Sequence, residues 1–372
     1  MKKFFYLILF AILAMGLVSC SKDSSNPKTE EKTIENKKEE SKESNNEEEK
    51  EAENLKTTEQ TDEDAEENRI VSISPPIYSM LCQMGLKDQV VGASPLTFGN
   101  ANEKVHAEIN PNYKSIQTQF ITPDFKVNKE SLLSLDPTII LLYGKFQDEG
   151  LSELKVPVEN LKIQSMSAED INIFWENELA KILNIENSKK MENAWKKTHE
   201  ILNDVNKEHK LKGLYLFSNI KGIMVSGGNS YGDNFMNLVG IENVAKDVAG
   251  FKEGAGQIEI SMEQINEWNP DIIFVGVGAS AKDMIDGNVP NQNWSNIEAV
   301  KNRKVYDIPN GIFSWGMPCG DSPLMPIWMA SCVDDQLISN EDMKDMVRKY
   351  YKDMYDTDIT DETLESIFNY KN

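Results

Sequence analysis

The chain predicts an α/β fold of two Rossmann-like lobes with mostly parallel sheets, joined by a single long backbone helix. Three observations predict it: strand–loop–helix units that occur twice in the same order, short apolar strands without alternation, and an amphipathic stretch free of Gly and Pro between the halves. Alternating strands and helices imply parallel strands with helices on both faces. Strands buried on both faces read as unbroken apolar runs.

The chain opens "MKKFFYLILFAILAMGLVSC": two lysines, an apolar run and Leu17-Val18-Ser19-Cys20. The run falls short of the roughly 20 residues that span a bilayer, so residues 1–19 read as a signal peptide. Leu-Val-Ser-Cys resembles the lipobox of bacterial lipoproteins, which implies a lipidated Cys20 and a protein held at the cell membrane, outside the cytoplasm. A plain secretory signal with an incidental Cys is the alternative. Residues 21–68 carry 18 acidic residues against 8 Lys, a net charge of −10. So polar a segment cannot bury enough apolar surface to offset ordering, and predicts a disordered tether over 20–68.

Residues 69–372 predict an N-terminal lobe (69–186), a connecting helix (187–210) and a C-terminal lobe (211–372). The 43 acidic and 29 basic residues of this part argue against nucleic-acid binding, which needs a basic face. Cys82, Cys319 and Cys332 are odd in number and lack CxxC spacing, so neither a disulfide framework nor a Cys-rich metal site is expected.

"VNKESLLSLDPTIILL", from Val127, and "ISMEQINEWNPDIIFV", from Ile260, share one pattern. Asn128 and Ser261 suit N-caps, Glu130 and Glu263 suit the first helical turn, and Pro137 and Pro270 end the helices before buried strands. Upstream, "RIVSISPPIYSMLCQMGLKDQVVGAS" and "GIMVSGGNSYGDNFMNLVGIENVAKD" each read strand, loop, helix and an apolar-Gly-apolar exit. Between the halves, Met191, Trp195, Ile201 and Val205 keep near-helical spacing over 187–210, about six turns. Such a joint permits only modest rocking of the lobes. The last stretch, from Asn340, reads as two helices packed on the second lobe, the second capped by Thr360. Ligands of open α/β sheets bind at the carboxyl ends of strands, so the cleft between the lobes is the expected site.

Four stretches in order, "RIVSISPPIYSMLCQMGLKDQVVGAS", the Glu-helix-Pro-strand unit, "NLVGIENVAKD" and "NIEAVKNRKVYDIPNGIFSWG", resemble the substrate-binding lipoproteins of ABC importers for iron complexes, haem and cobalamin. The resemblance covers residues 69–372. It implies a monomeric binding protein, not an enzyme, that captures a small-molecule metal chelate, a siderophore or haem, and delivers it to an ABC permease. A corrinoid is the alternative cargo. It also implies that Glu130 and Glu263, one per lobe, dock onto basic permease residues, where paired carboxylates set orientation. Helix-start residues favoured only by the dipole are the plainer reading of both.

Loops aimed at the cleft are "SPPIYSM", "SPLTFGN", "YGKF", "GGNSYGDN", "GVGASAK" and "GIFSWGMPCGDSP". From them Tyr78, Phe98, Lys145, Tyr231, Trp315 and Met317 are the ligand candidates, with Tyr143 and Phe146 weaker because they adjoin a buried strand. Rigid aromatic walls suit a planar or aryl chelate. The three arginines, Arg69, Arg303 and Arg348, all fall outside these loops, which departs from relatives that grip anionic siderophores with Arg and favours neutral chelates or a corrinoid. Lys145, Lys221 and Lys282 remain as sources of positive charge. For haem, Tyr78, His106 and Tyr231 are the axial candidates. His199 and His209 fall on the connecting helix, so a bare metal site built from several His is not expected. No GxxxxGK[ST] or GxGxxG pattern occurs, and none of the many Asp and Glu is paired with a nucleophile by spacing, which leaves a lipid-anchored surface hydrolase as a distant alternative, with no catalytic residue and no cofactor assigned.

Overall fold

A computed structural model describes residues 68–99, 102–144, 147–148, 150–163, 167–205, 211–248, 257–334 and 336–371. The signal peptide, Cys20 and the acidic tether lie outside the described residues, as do Lys145, Phe146 and His209.

The first sheet comprises β1 (Ile70–Ser72), β2 (Val90–Ala93), β3 (Ile139–Leu142) and β4 (Val158–Asn160), ordered β2-β1-β3-β4 and parallel throughout. Val71, Ile73, Ile140 and Leu142 enter one core, while Ile70 and Leu141 enter another, so both faces are covered. That double burial is why these strands show no polar alternation. Around the sheet lie α1 (Pro75–Gln83), α2 (Pro95–Gly99), α3 (Glu103–Ile109), α4 (Lys129–Leu133) and α5 (Ala168–Ile182). The expected cap of α4 is present, with Asn128 Oδ1 accepting from Ser131 N at 2.9 Å.

The connecting helix, α6 (Lys190–Leu202), has 13 residues and begins later than the periodicity predicts. Lys189 takes a left-handed φ of 53° and offers no side-chain cap. Buried Glu176 of α5 caps the helix instead: it accepts from Lys190 N at 2.9 Å, Met191 N at 3.1 Å and Ser188 Oγ at 3.0 Å. A carboxylate on the first free N–H groups of a helix satisfies both hydrogen bonding and dipole.

The second sheet holds β5 (Lys212–Ser218), β6 (Ile223–Ser226), β7 (Glu242–Asn243), β8 (Gln257–Ile260), β9 (Ile272–Val277) and β10 (Val305–Asp307), ordered β10-β9-β5-β6-β8 with β7 also on β5. Strands β5, β7, β9 and β10 are parallel, but β6 runs antiparallel to both its neighbours, β5 and β8. This corrects the reading of "GIMVSGGNSYGDNF" as a parallel unit. Residues 219–222 are too short a link for a crossover, so β5 and β6 form a hairpin. Helices α7 (Tyr231–Leu238), α8 (Met262–Trp268), α9 (Ala281–Ile285), α10 (Glu298–Lys301), α11 (Leu324–Val333), α12 (Asn340–Tyr355) and α13 (Asp361–Phe368) complete the chain. Ser261 caps α8 through Gln264 N at 3.3 Å, and Thr360 caps α13 through Thr363 N at 3.3 Å, both as expected.

Tyr215, Ile272 and Phe274 of the second sheet enter the same core as Ile70 and Leu141 of the first. One apolar core therefore runs through both lobes. Among the described residues, no helix is long and apolar enough to cross a membrane.

Glu176→Ala removes the cap of α6 and leaves buried donors unpaired. Unfolding in urea should show a loss of about 2–3 kcal/mol, with Glu176→Gln losing less.

Candidate functional site

At the carboxyl edge of the first sheet stand Ser74, Ser94 and Tyr143, just beyond β1, β2 and β3; in the second sheet Asn219, Gly278 and Asp307 hold the matching places at β5, β9 and β10. Several groups here are buried and find no hydrogen-bond partner among the described residues: Ser74 Oγ, Thr97 Oγ1, Gln147 Nε2 and Asn219 Nδ2. Their other atoms are engaged. Gln147 Oε1 accepts from Tyr143 N at 2.9 Å, and Asn219 Oδ1 accepts from Ala279 N at 2.9 Å. An unpaired buried polar atom costs about 1–3 kcal/mol, and others lie away from the strand ends, at Gln83 Oε1, Asn172 Oδ1 and Trp195 Nε1.

The segment "NGIFSWGMPCGDSP" is a seam between the lobes. Asn102 N donates to Gly311 O at 3.3 Å, Gly320 N to Ser79 Oγ at 2.9 Å, and Asn172 Nδ2 to Cys319 O at 3.0 Å, all reaching across to the first lobe. On the second lobe, Tyr215 OH donates to Gly316 O at 3.0 Å. Asp321 anchors the seam: its carboxylate accepts from Tyr355 OH at 2.7 Å, Tyr351 OH at 2.8 Å and Ile312 N at 3.0 Å. A Cβ at Gly311 would strike the Tyr351 hydroxyl and Asp321, and one at Gly316 the Tyr215 hydroxyl. The glycines are thus set by close approach to these groups. Burial pushes Asp321 up to about 6, against the lowering effect of its tyrosine and backbone donors.

Trp315 and Tyr78 depart from the sequence expectation. Trp315 is 0% exposed, edge-on to Phe368 at 5.8 Å, and Tyr78 is 1% exposed between Phe98 and His106. Their loops follow strands as the repeat requires, yet each ring is packed inward within its own lobe, Tyr78 on Phe98 and His106 and Trp315 on Phe368. His106 is sealed in the same cluster, and burial lowers it to about 4. Phe98, Tyr231 and Met317 remain half-buried, and so does Tyr143. Burial, with a smaller electrostatic contribution from the Tyr143 hydroxyl, pushes Tyr231 upward. Sequence reading passed over Phe217, half-buried in β5, and the amide and hydroxyl groups above. The available signal was Ser, Thr, Asn or Gln just beyond an apolar strand.

His199 is paired with Glu169 at 2.8 Å, and Lys282 with Asp286 of its own helix. Glu130 and Glu263 are both exposed at the starts of α4 and α8. The Ser261 hydroxyl holds the Glu263 carboxyl below the usual carboxylate range. Cys82, Cys319 and Cys332 are free thiols, all raised by burial, and no metal-binding cluster of His, Cys, Asp or Glu occurs among the described residues. A groove of about 830 Å³ lies elsewhere, between α6, α11 and α12, floored by Ile201, Leu324, Ile327 and Met354.

A sequence profile described as "Periplasmic binding protein" matches residues 70–311, across both lobes. The chain is 32% identical over 133 residues to the molybdate-binding protein MolA of Haemophilus influenzae, an alignment spanning 35% of this chain and 36% of that protein. It is 25% identical over 257 residues to the Fe(3+)-citrate-binding protein YfmC of Bacillus subtilis, spanning 65% and 76%. A periplasmic solute binding protein from Veillonella parvula superposes with a TM-score of 0.68 and 28% identity, over 82% of this chain and 92% of its own.

Two outcomes follow from the seam. Trp315→Ala should cost about 3–5 kcal/mol of stability, as expected for a buried indole, measured by denaturant unfolding. For Asp321, the folded-state value lies above that of an unfolded aspartate, so the folded protein holds an extra proton between about pH 4 and 6. The contribution of this group to stability therefore falls as pH rises through that window and is level above it. Relative to Asp321→Asn, the wild type should lose roughly 2–3 kcal/mol between pH 4 and 7 in parallel unfolding titrations.

Proposed function

Since the chain belongs to the periplasmic binding protein family, in the class that serves ABC importers, we propose that it is a lipid-anchored substrate-binding protein. It captures an iron chelate, a siderophore or haem, between its lobes and hands it to an ABC permease. The family match across both lobes carries this reading. Half-buried Phe98, Tyr143, Tyr231 and Met317 near the strand ends support a cargo with apolar area, and a corrinoid has the same needs. Cys20 is the proposed anchor and residues 21–68 the proposed tether, which lets the binding part work close to the membrane.

A smaller oxyanion is the second reading. It is favoured by the identity to a molybdate-binding protein and by neutral donors, Ser74, Thr97, Gln147 and Asn219, at the strand ends. Hydroxyl and amide donors suit anion oxygens without a buried countercharge.

Glu130 and Glu263 are the proposed docking carboxylates. Each is exposed, each sits in a first helical turn, and Leu133, at 44% exposure, adds apolar surface one turn from Glu130.

Thermal unfolding with ferric citrate, a siderophore, haem, cobalamin and molybdate identifies the cargo, because a ligand bound only by the native state raises the melting temperature by mass action. No shift with any of the five sinks the transport reading. Glu130→Ala combined with Glu263→Ala should abolish uptake in cells and leave the dissociation constant of the cargo unchanged; normal uptake would refute docking through these residues.

A further inference from the structure

Residues 360–371 touch both lobes with different side chains. At the first lobe, Glu108 of α3 accepts from Thr360 N at 3.1 Å, Thr360 Oγ1 at 2.6 Å and Thr363 Oγ1 at 2.6 Å. Asn102 Nδ2 donates to Ser366 Oγ at 2.8 Å, and Lys104 pairs with Glu362 at 2.6 Å. At the second lobe, Asn310 N donates to Ile367 O at 3.0 Å, Tyr370 OH to Gly276 O at 3.4 Å, and Lys371 Nζ to Val275 O at 3.4 Å. The segment thus packs on the second lobe, as expected, and contacts the first lobe as well.

Lys371 carries the line further. Its Nζ lies 2.8 Å from Asp307 Oδ1, with side-chain exposures of 4% and 10%. Both oxygens of Asp307 accept from Ala281 N, at 3.0 and 3.1 Å, where α9 begins. Two residues earlier, Ala279 N donates to Asn219 Oδ1. Lys371, Asp307, the 278–281 loop and Asn219 thus form one polar line along the carboxyl edges of β10, β9 and β5. Asp307 could not hold the loop alone, since a buried carboxylate stripped of its cation is strongly disfavoured.

We propose that residues 360–371 clasp the two lobes together, and that Lys371 is a positioning residue that aligns the 278–281 loop as the second-lobe rim of the binding cleft. The importance of that rim for cargo rests on the function proposed above; the alignment itself does not.

Hydrogen exchange of the full-length protein tests this without ligand. Lys371→Met should speed amide exchange in residues 278–281 by about tenfold or more, because the buried pair that orders the loop is lost. Lys371→Arg should restore protection, since it keeps the charge. Glu108→Gln, at the opposite end of the clasp, should loosen residues 360–363 and leave 278–281 as in the wild type. In the Lys371→Met protein, whichever of ferric citrate or molybdate the wild type binds should dissociate about tenfold faster, as a disordered rim shortens residence. Unchanged exchange at 278–281 in Lys371→Met overturns the proposal, and so does an equal rise in the Met and Arg proteins. If neither probe binds the wild type, ferric citrate and molybdate are excluded as cargo while the exchange result stands.

Discussion

The buried carboxylate of Asp321 is the constraint around which the two lobes are organised. It lies in an irregular segment, yet it fixes that segment by drawing Tyr351 and Tyr355 of α12 and the backbone of Ile312 onto two oxygen atoms. Because the carboxylate and the tyrosine hydroxyls approach so closely, the backbone opposite them must be bare, and Gly311 occupies that place. Once held, the segment presents its carbonyl and amide groups to Asn102, Ser79 and Asn172 of the first lobe. A polar centre of this kind is stabilising only when its members are satisfied, which gives the segment one conformation.

From that seam follows a division between a fixed side and an adaptable side. On the fixed side, one apolar core joins Ile70 and Leu141 to Tyr215 and Phe274, α6 is capped by Glu176, and residues 360–371 bind both lobes. Relative movement there would expose apolar area and break several hydrogen bonds at once. On the other side, Phe98, Tyr143, Tyr231 and Met317 are only partly covered, and Ser74 Oγ, Gln147 Nε2 and Asn219 Nδ2 find no partner among the described residues, as some buried atoms of the fixed side also do not. Low local satisfaction is what a binding surface shares with other regions that must change their contacts. The groove between α6, α11 and α12 is lined by residues of these helices and Pro323, and by none of the residues at the strand ends.

Much of the fold was legible because its signals are local. Asn128, Ser261 and Thr360 cap the helices expected of them, since a short polar side chain before an apolar period is a property of a few adjacent residues. The strands "IVS", "IILL" and "IIFVGV" declare double-sided burial through their own composition. The antiparallel course of β6 was less legible: the helix after it resembles that of a parallel unit, and only the short 219–222 link shows the reversal. Likewise the late start of α6 depends on Glu176, a residue outside the periodic stretch.

By itself, then, the amino-acid sequence determined the α/β class, the order of units and the exposed places of Glu130 and Glu263, because periodicity, caps and breakers act over a few residues. Tertiary structure decided which residues of these loops are buried and which stay partly exposed. Trp315 and Tyr78 follow strands just as Phe98 and Tyr231 do, but packing on Phe368 and on His106 buries the first pair and leaves the second half-covered. The same holds for Lys371, whose pairing with Asp307 across 64 positions no local pattern encodes. Burial and long-range pairing are properties of the assembled chain, set by which surfaces meet, and they separate residues that look alike in sequence.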